Sequence, residues 1–410
     1  MSATRHPSSH ADVAAETVSA DAPSQPVVRP AQVTLSAVKR VSFGTPAAER
    51  VQAQLDEWGS ERVLILASTS LNRGTDEVDA LARACGQRVV GVKDGIPEHT
   101  PLTSVLEVTE EALRTDAEVL VTVGGGTLTD LGKAVRMCLS AGVTHRDQVA
   151  GVTAPRPASP EFSPKVRQIS VPTTLSAAEF TGIAGVTDEA SRTKELWRSP
   201  EIAPDSVILD PWLTRHTPEW LFLSTGMRAI DHAVEGYCAP DANTYTDALT
   251  VRGLRLLYFG LREVRADAAD IEARLSCQVG AWMAMSGLGS GVPMGASHGI
   301  GYVLGATHGI PHGYTSCVVL PAVLDWNAAV NGHRQAQLVQ ESGIGPGALP
   351  TLVRDLVEQL GLPRTLDAVG IDAGADDEIA QRSLETAWLP FNPRPVQDAE
   401  DVAEILALAR

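Results

Sequence analysis

Short, continuously apolar runs alternate with amphipathic stretches over the first half of this 410-residue chain, and that alternation limits its fold more than any other feature. R-V-L-I-L-A (62–67), R-V-V-G-V (88–92), E-V-L-V-T-V (118–123) and Q-I-S-V-P (168–172) each read as a strand covered on both faces. Residues 47–58, 73–86 and 104–115 carry helical periodicity around and between them. Strand and helix in alternation predict a parallel, doubly wound sheet. Residues 145–166 hold four prolines and predict a long surface loop. Beyond about 210 the Val/Ile/Thr runs give way to Ala/Leu/Arg-rich amphipathic segments at 218–238, 244–264, 267–288, 317–330, 350–360, 375–388 and 398–409. The expected organisation is therefore a disordered, Ala/Ser/Pro-rich tail over 1–33, an α/β domain over 34–204 and an all-helical domain over 205–410.

Charge and cysteine usage narrow the partners. A formal net charge of −17 argues against general affinity for nucleic acid or anionic membrane, while leaving room for a local cationic pocket and a small anionic substrate. No apolar run reaches the roughly 18–20 residues that span a bilayer. The N-terminal stretch lacks the apolar core of a signal peptide. Five cysteines without C-x-x-C spacing predict buried free thiols and a cytoplasmic location.

V-T-V-G-G-G-T-L-T-D-L-G-K (121–133) ends a strand in three glycines and opens a helix at Thr127. Glycine lets a backbone approach a diphosphate closely, and a helix N-terminus offers free N–H groups and a positive dipole end. The spacing is neither G-x-G-x-x-G nor a P-loop, so alone it fits a tight connection as well as a phosphate site. A second cluster is polar. His232, His298, His308 and His312 fall in two short stretches, G-M-R-A-I-D-H (226–232) and H-G-I-G-Y-V-L-G-A-T-H-G-I-P-H (298–312), of a chain with ten histidines.

Taken in order, these stretches resemble the iron-containing alcohol dehydrogenase superfamily and its maleylacetate reductase branch. G-G-G-T-L-T-D-L-G-K is similar to G-G-G-S-x-x-D-x-A-K. V-P-T-T-L-S-A-A-E-F-T (171–181) is similar to P-T-T-x-A-G-S-E-x-T, and G-M-R-A-I-D-H-A-V-E-G-Y (226–237) to G-M-N-A-I-A-H-A-V-E. Residues 298–327 match H-G-x-x-H-V-L-G-G-x-F-x-x-P-H, and N-P-R-P (392–395) fits a C-terminal segment. The resemblance implies an α/β dinucleotide-binding domain, an all-helical C-terminal domain, NAD(P)H in the cleft between them, and a homodimer. By position, Gly124, Gly125, Gly126 and Thr127 would cradle the pyrophosphate. Asp130 and Lys133 would lie beside the cofactor, Thr173 and Thr174 along its adenosine half, and Lys194 near the ribose. Ser68 and Thr69 stand where NAD-specific relatives tend to carry an acidic residue, which removes a repulsion toward the 2′-phosphate of NADPH.

In metal-bearing relatives three histidines, here His232, His298 and His312, hold a divalent ion together with an aspartate four residues before the first. That aspartate position is Arg228, a permanent cation that cannot ligate a metal. Metal-independent chemistry is expected. Asp231, about 100° around the helix from His232, is expected to face elsewhere, pairing with Arg228 or lying at the surface. Tyr302 and His308 exchange residue types relative to the branch, which would shift one imidazole within the pocket. The titrating histidines would serve as proton donors and Arg228 as the carboxylate's partner. The remaining histidines, His99 among them, read as solvated. Ala177 and Ala178 replace the branch's Gly and Ser. The reading is an NAD(P)H-dependent reductase of a carboxylate-bearing carbonyl or enone, with a metal-dependent alcohol dehydrogenase or a non-redox homologue as alternatives.

Overall fold

The computed structural model describes residues 31–150, 165–191 and 193–410. The expected tail therefore lies largely outside the described residues, as does most of the proline-rich 145–166 stretch. Among the described residues eight strands are formed: β1 (Arg40–Phe43), β2 (Val63–Ala67), β3 (Val89–Lys93), β4 (Val119–Gly124), β5 (Arg167–Pro172), β6 (Ile183–Asp188), β7 (Thr193–Arg198) and β8 (Ser206–Leu209). Six of them build one sheet in the order β1-β8-β5-β4-β2-β3, and every neighbouring pair is parallel. Helices α1 (Ala47–Trp58), α2 (Thr69–Gly74), α3 (Glu77–Cys85), α4 (Leu102–Arg114) and α5 (Gly126–Ala141) complete this part. Side chains alternate along β2 and β4, so the sheet has two cores. Leu64, Leu66 and Leu120 pack with α4 and α5, whereas Ile65, Val119 and Val121 pack with α1 and α3.

Four strands escaped the sequence reading. β1 and β8 are four residues each, too short for a periodicity signal. The antiparallel hairpin β6–β7 is mostly polar on β7 (T-K-E-L-W-R). Because β8 pairs with both β1 and β5, the α/β part runs past the boundary expected at residue 204, to Leu209.

The second half is helical: α6 (Glu219–Cys238), α7 (Thr244–Ala266), α8 (Ile271–Ala284), α9 (Ser286–Gly289), α10 (Ala296–His308), α11 (His312–Ser342), α12 (Leu349–Gln359), α13 (Asp376–Ser383) and α14 (Ala399–Leu408). A large apolar core joins α6, α7, α8 and α12 through Phe222, Ile230, Leu257 and Leu356. A smaller one joins α10, α11 and α14. The stretch 298–308, which looks glycine-broken as a sequence, is continuous helix. Its glycines make room instead: a Cβ on Gly305 would lie 2.8 Å from the His312 ring. All five cysteines are buried and free. No helix among the described residues is long and apolar enough to cross a membrane.

Candidate active site

The crossover from β2 runs to one side of the sheet and that from β4 to the other. A crevice therefore opens at their C-terminal ends, where open α/β sheets bind ligands. Gly124 ends β4 there with φ +155°, and Gly125 precedes α5 with no side-chain cap on the helix's first N–H groups. A Cβ on Gly124 would meet Leu128 at 2.9 Å and Ser68 at 3.3 Å, and one on Gly126 would meet Ser176 Oγ at 3.0 Å. The glycines thus keep a helix N-terminus open to an anion. Thr173 donates its N–H to the Gly124 carbonyl, and Thr174 lies against Gly125, so both threonines wall the turn. Ser68 caps β2 beside it, while Thr69 Oγ1 accepts from the Gly95 N–H.

Lys133 does not lie free for a nucleotide. Its fully buried ammonium donates to Asp130 Oδ1 (3.1 Å) and to the carbonyls of Ala178 (2.5 Å) and Ile183 (2.6 Å). Asp130 Oδ2 accepts the Gly185 N–H. The pair locks the hairpin onto α5. Ala177, which replaces the branch's glycine, holds a left-handed backbone (φ 57°). One further group at this end was not singled out from the sequence. Glu179 beside Ala177 is buried with one oxygen unpartnered, and desolvation lifts its carboxyl to about 7.

At the other end of the cleft four elements converge. α6 presents Arg228, Asp231, His232 and Glu235 on neighbouring turns, α10 brings His298 and Tyr302, α11 brings His312 and Ser316, and β7 brings Lys194. The His232 and His298 rings lie 4.9 Å apart. Glu235 accepts the N–H groups of Gly295, Ser297 and His298 and faces His298 Nδ1 at 2.7 Å. An ionised carboxylate only accepts, so Nδ1 carries the hydrogen of His298 and Nε2 is left as a lone pair with no partner. Glu235 was missed in the sequence, although its spacing from Arg228 and His232 puts it on their helix face.

Asp231 does not face elsewhere as expected. It is fully buried, accepts from Ser297 Oγ (2.9 Å) and Ser316 Oγ (2.6 Å), and lies 3.7 Å from His298 Nδ1. Its ion pair with Arg228, anticipated from the spacing, forms at 3.5 Å. Arg228 Nη1 also donates to Ser316 Oγ. Tyr302 donates its hydroxyl to the Lys194 carbonyl, fastening α10 to the hairpin. His308 closes α10 at its far end and makes no hydrogen bond or ring contact with the other histidines; six residues along a helix turn it well away from Tyr302. The exchange of residue types at 302 and 308 therefore does not move an imidazole within the site.

The protonation states differ from those expected. Burial holds His232 and His312 well below the usual histidine range, with His298 and Arg228 adding to the shift at His232, and Lys194 and Arg228 at His312. Burial and then Arg228 bring His298 to about 3. All three are neutral near pH 7, so none is a ready acid. Desolvation also lowers the ammonium of Lys194, whose Nζ lies 3.3 Å from His312 Nε2. His99, read as solvated, sits at the same mouth. Its ring is edge-on to His312 at 6.4 Å, and His99 and Thr100 both take positive φ, held by Thr187.

Asp231, Glu235 and His298 bring potential ligand atoms within 4.8 Å of one another. Most of their ligand atoms are already engaged, and a cation stands beside them. Glu235 is saturated by N–H donors, and Asp231 is already engaged by two hydroxyls with a guanidinium beside it. His232 Nδ1, His298 Nε2 and Asp231 Oδ1 are buried without a partner, but the Arg228 guanidinium lies 3.5 Å from the other oxygen of Asp231 and repels a cation there.

Sheet order, glycine turn and histidine cleft together define a dehydrogenase built from a nucleotide-binding half and a helical half. The chain belongs to the iron-containing alcohol dehydrogenase family, and it is an oxidoreductase. Residues 38–211 match the model "Iron-containing alcohol dehydrogenase", and residues 222–409 match "Fe-containing alcohol dehydrogenase family, C-terminal". Within the family it falls in the maleylacetate reductase-like branch. It is 31% identical to the maleylacetate reductase of Burkholderia cepacia over 360 residues, 88% of this chain and 92% of that one. It is also 31% identical to the dehydrogenase FUM7 of Gibberella moniliformis, covering 90% and 95% of the two chains. The crystal structure of maleylacetate reductase from Agrobacterium tumefaciens superposes with a TM-score of 0.79 at 27% identity, covering 93% of this chain and 98% of that one.

Proposed function

We propose that the protein is an NAD(P)H-dependent reductase of a small carboxylate-bearing carbonyl or enone, of the maleylacetate reductase kind, and that it works without a resident metal. The observation that carries this reading is Arg228. It stands on the histidine-bearing face of α6 with only Nη1 engaged, so Nε and Nη2 remain free to hold a carboxylate in the cleft. With its pyrophosphate held at the glycine turn, the reduced dinucleotide would supply the hydride. The chain's own residues do the rest. Arg228 orients the substrate carboxylate. As the hydride adds to the electrophilic carbon, the displaced electron pair settles on the substrate's oxygen or α-carbon and takes a proton from Lys194, which His312 holds in place. The neutral rings of His232 and His298 wall the reacting centre.

Three measurements test this. Arg228→Asn is expected to raise KM for a carboxylate substrate about tenfold or more while barely changing it for a neutral aldehyde; equal changes remove Arg228 from substrate binding. Stoichiometric zinc or iron in protein purified without chelators would sink the metal-free reading. Acceptance of NADPH is supported by Ser68 and Thr69 and by Arg73, exposed one turn further along α2 and paired with Asp94. Arg73→Ala should then raise KM for NADPH and leave that for NADH. We also propose a homodimer: β1 is a sheet edge, with Leu35 and Phe43 exposed beside or on it. Light scattering at the mass of one chain removes it.

A further inference from the structure

A cavity of about 440 Å³ opens beside the reacting centre, between the β6–β7 hairpin, α10 and the turn after α13. One wall is shared with the site: Lys194, whose Nζ meets His312, and Tyr302, which holds the Lys194 carbonyl. The other walls set Leu196, Val303, Ala306 and the ring of Trp388 beside the polar Thr307, Arg382, Glu385 and Thr386, with apolar surface in the majority. Trp388 is positioned from two sides. Its ring is edge-on to His298 at 6.4 Å, and the Arg198 guanidinium lies 5.7 Å from its centroid. A volume of this size is in the range of pockets that enclose a ligand rather than a few waters. A short dicarboxylate held by Arg228 and protonated by Lys194 has no groups for it.

The geometry points to a subsite for an apolar arm, so that the substrate is a carboxylate-bearing carbonyl compound carrying an alkyl or aryl extension that lies on Trp388. This inference rests on the proposed reductase function for its polar half, and on the cavity for the arm. The charged end is fixed near Arg228, the reacting carbon near Lys194 and His312, and the extension runs over Val303 and Ala306 toward the solvent.

Binding is tested apart from turnover. Saturated dicarboxylic acids bearing alkyl arms of increasing length are titrated calorimetrically into the full chain. The dissociation constant is expected to fall on the order of two- to fourfold per added methylene until the cavity is filled. Ala306→Trp, which occupies the cavity, is expected to flatten the series, and circular dichroism checks that it folds. A series that is flat in the unaltered protein overturns the subsite. So does a Trp388→Ala variant in which KM rises for reduced nicotinamide but not for the long-armed acid, since the cavity would then belong to the cofactor. Nicotinamide oxidation by armed and unarmed oxo acids in the same preparation separates the two readings. A graded binding series without turnover defeats the reductase and keeps the subsite, whereas turnover of the short acid alone, with flat binding, does the reverse.

Discussion

The two ends of the cleft are built from different materials. The end proposed to take the nucleotide is backbone: three glycines, a helix N-terminus and strand ends, with Lys133 and Asp130 holding them in place. The end proposed to take the substrate is side chain, drawn from four elements and carrying unpartnered nitrogens on His232, His298 and His312 beside a buried Arg228–Asp231 pair. Backbone geometry is set locally and tolerates drift around it. A cluster of buried ionisable side chains is set only by what surrounds each one, and it carries the desolvation cost of every charge it encloses.

The largest effect should come from the substrate end. Lys194→Met removes the proposed acid and is expected to lower kcat about 10²–10³-fold with little change in KM for the cofactor; a loss confined to KM would return Lys194 to a purely binding role. Next comes the backbone end. Gly124→Ala puts a Cβ 2.9 Å from Leu128 at φ +155°. It should raise the cofactor's KM on the order of tenfold with kcat nearly kept, the converse of Lys194→Met. If both variants changed both constants alike, the division between the ends would be wrong.

Stability distinguishes the ends in the same order. Glu235→Gln replaces the acceptor of three N–H groups and the partner of His298, and is expected to destabilise by about 2–4 kcal/mol in urea unfolding. The buried histidines add a pH dependence. Their folded pKa values lie below the unfolded value near 6.5, so their contribution is complete above that pH. It is lost as the unfolded chain takes up protons on acidification. Tm should fall between pH 7 and pH 5.5, and less steeply in His232→Gln; an unchanged slope would show that His232 titrates freely in the fold. Asp231 and Glu235, held above their usual range, oppose this once the pH drops through their raised values.

The smallest effect is at the nucleotide end, where Glu179 titrates at about 7 against 4.5 unfolded. Its ionisation destabilises the fold above pH 7 and has no effect at pH 4.5 or below. Glu179→Gln should therefore stabilise by about 1–3 kcal/mol at pH 8.5 and less at pH 5. No gain at pH 8.5 would mean that the carboxylate is solvated in the fold.

How much of this was legible follows from the same contrast. Val/Ile/Leu runs alternating with helical periodicity gave β2 to β5 and the helices between them to within a few residues, because burial on two faces forces a continuous apolar run. β1 and β8 were too short to register, and β7 too polar, so the boundary at 204 fell inside the sheet. At the site, the structure gathers Arg228, His232, His298 and His312, the residues singled out by the ordered motifs, in one cleft, and the i,i+3 spacing anticipated the Arg228–Asp231 pair. Glu235 was within reach of the same helical arithmetic. His308 was misplaced because a short sequence distance along α10 turned it to another face. Asp231 was misplaced because 100° of rotation does not remove a residue from a site when a second helix packs over it.

By itself, the sequence determined the doubly wound sheet, the open glycine turn and the replacement of a carboxylate by Arg228, since each depends on local residue type and spacing. Tertiary structure alone decided that Lys133 is a strut, that Lys194 meets His312, and that the histidines are neutral. Those properties depend on which polar groups water can no longer reach, and desolvation is set by the neighbours that folding brings together.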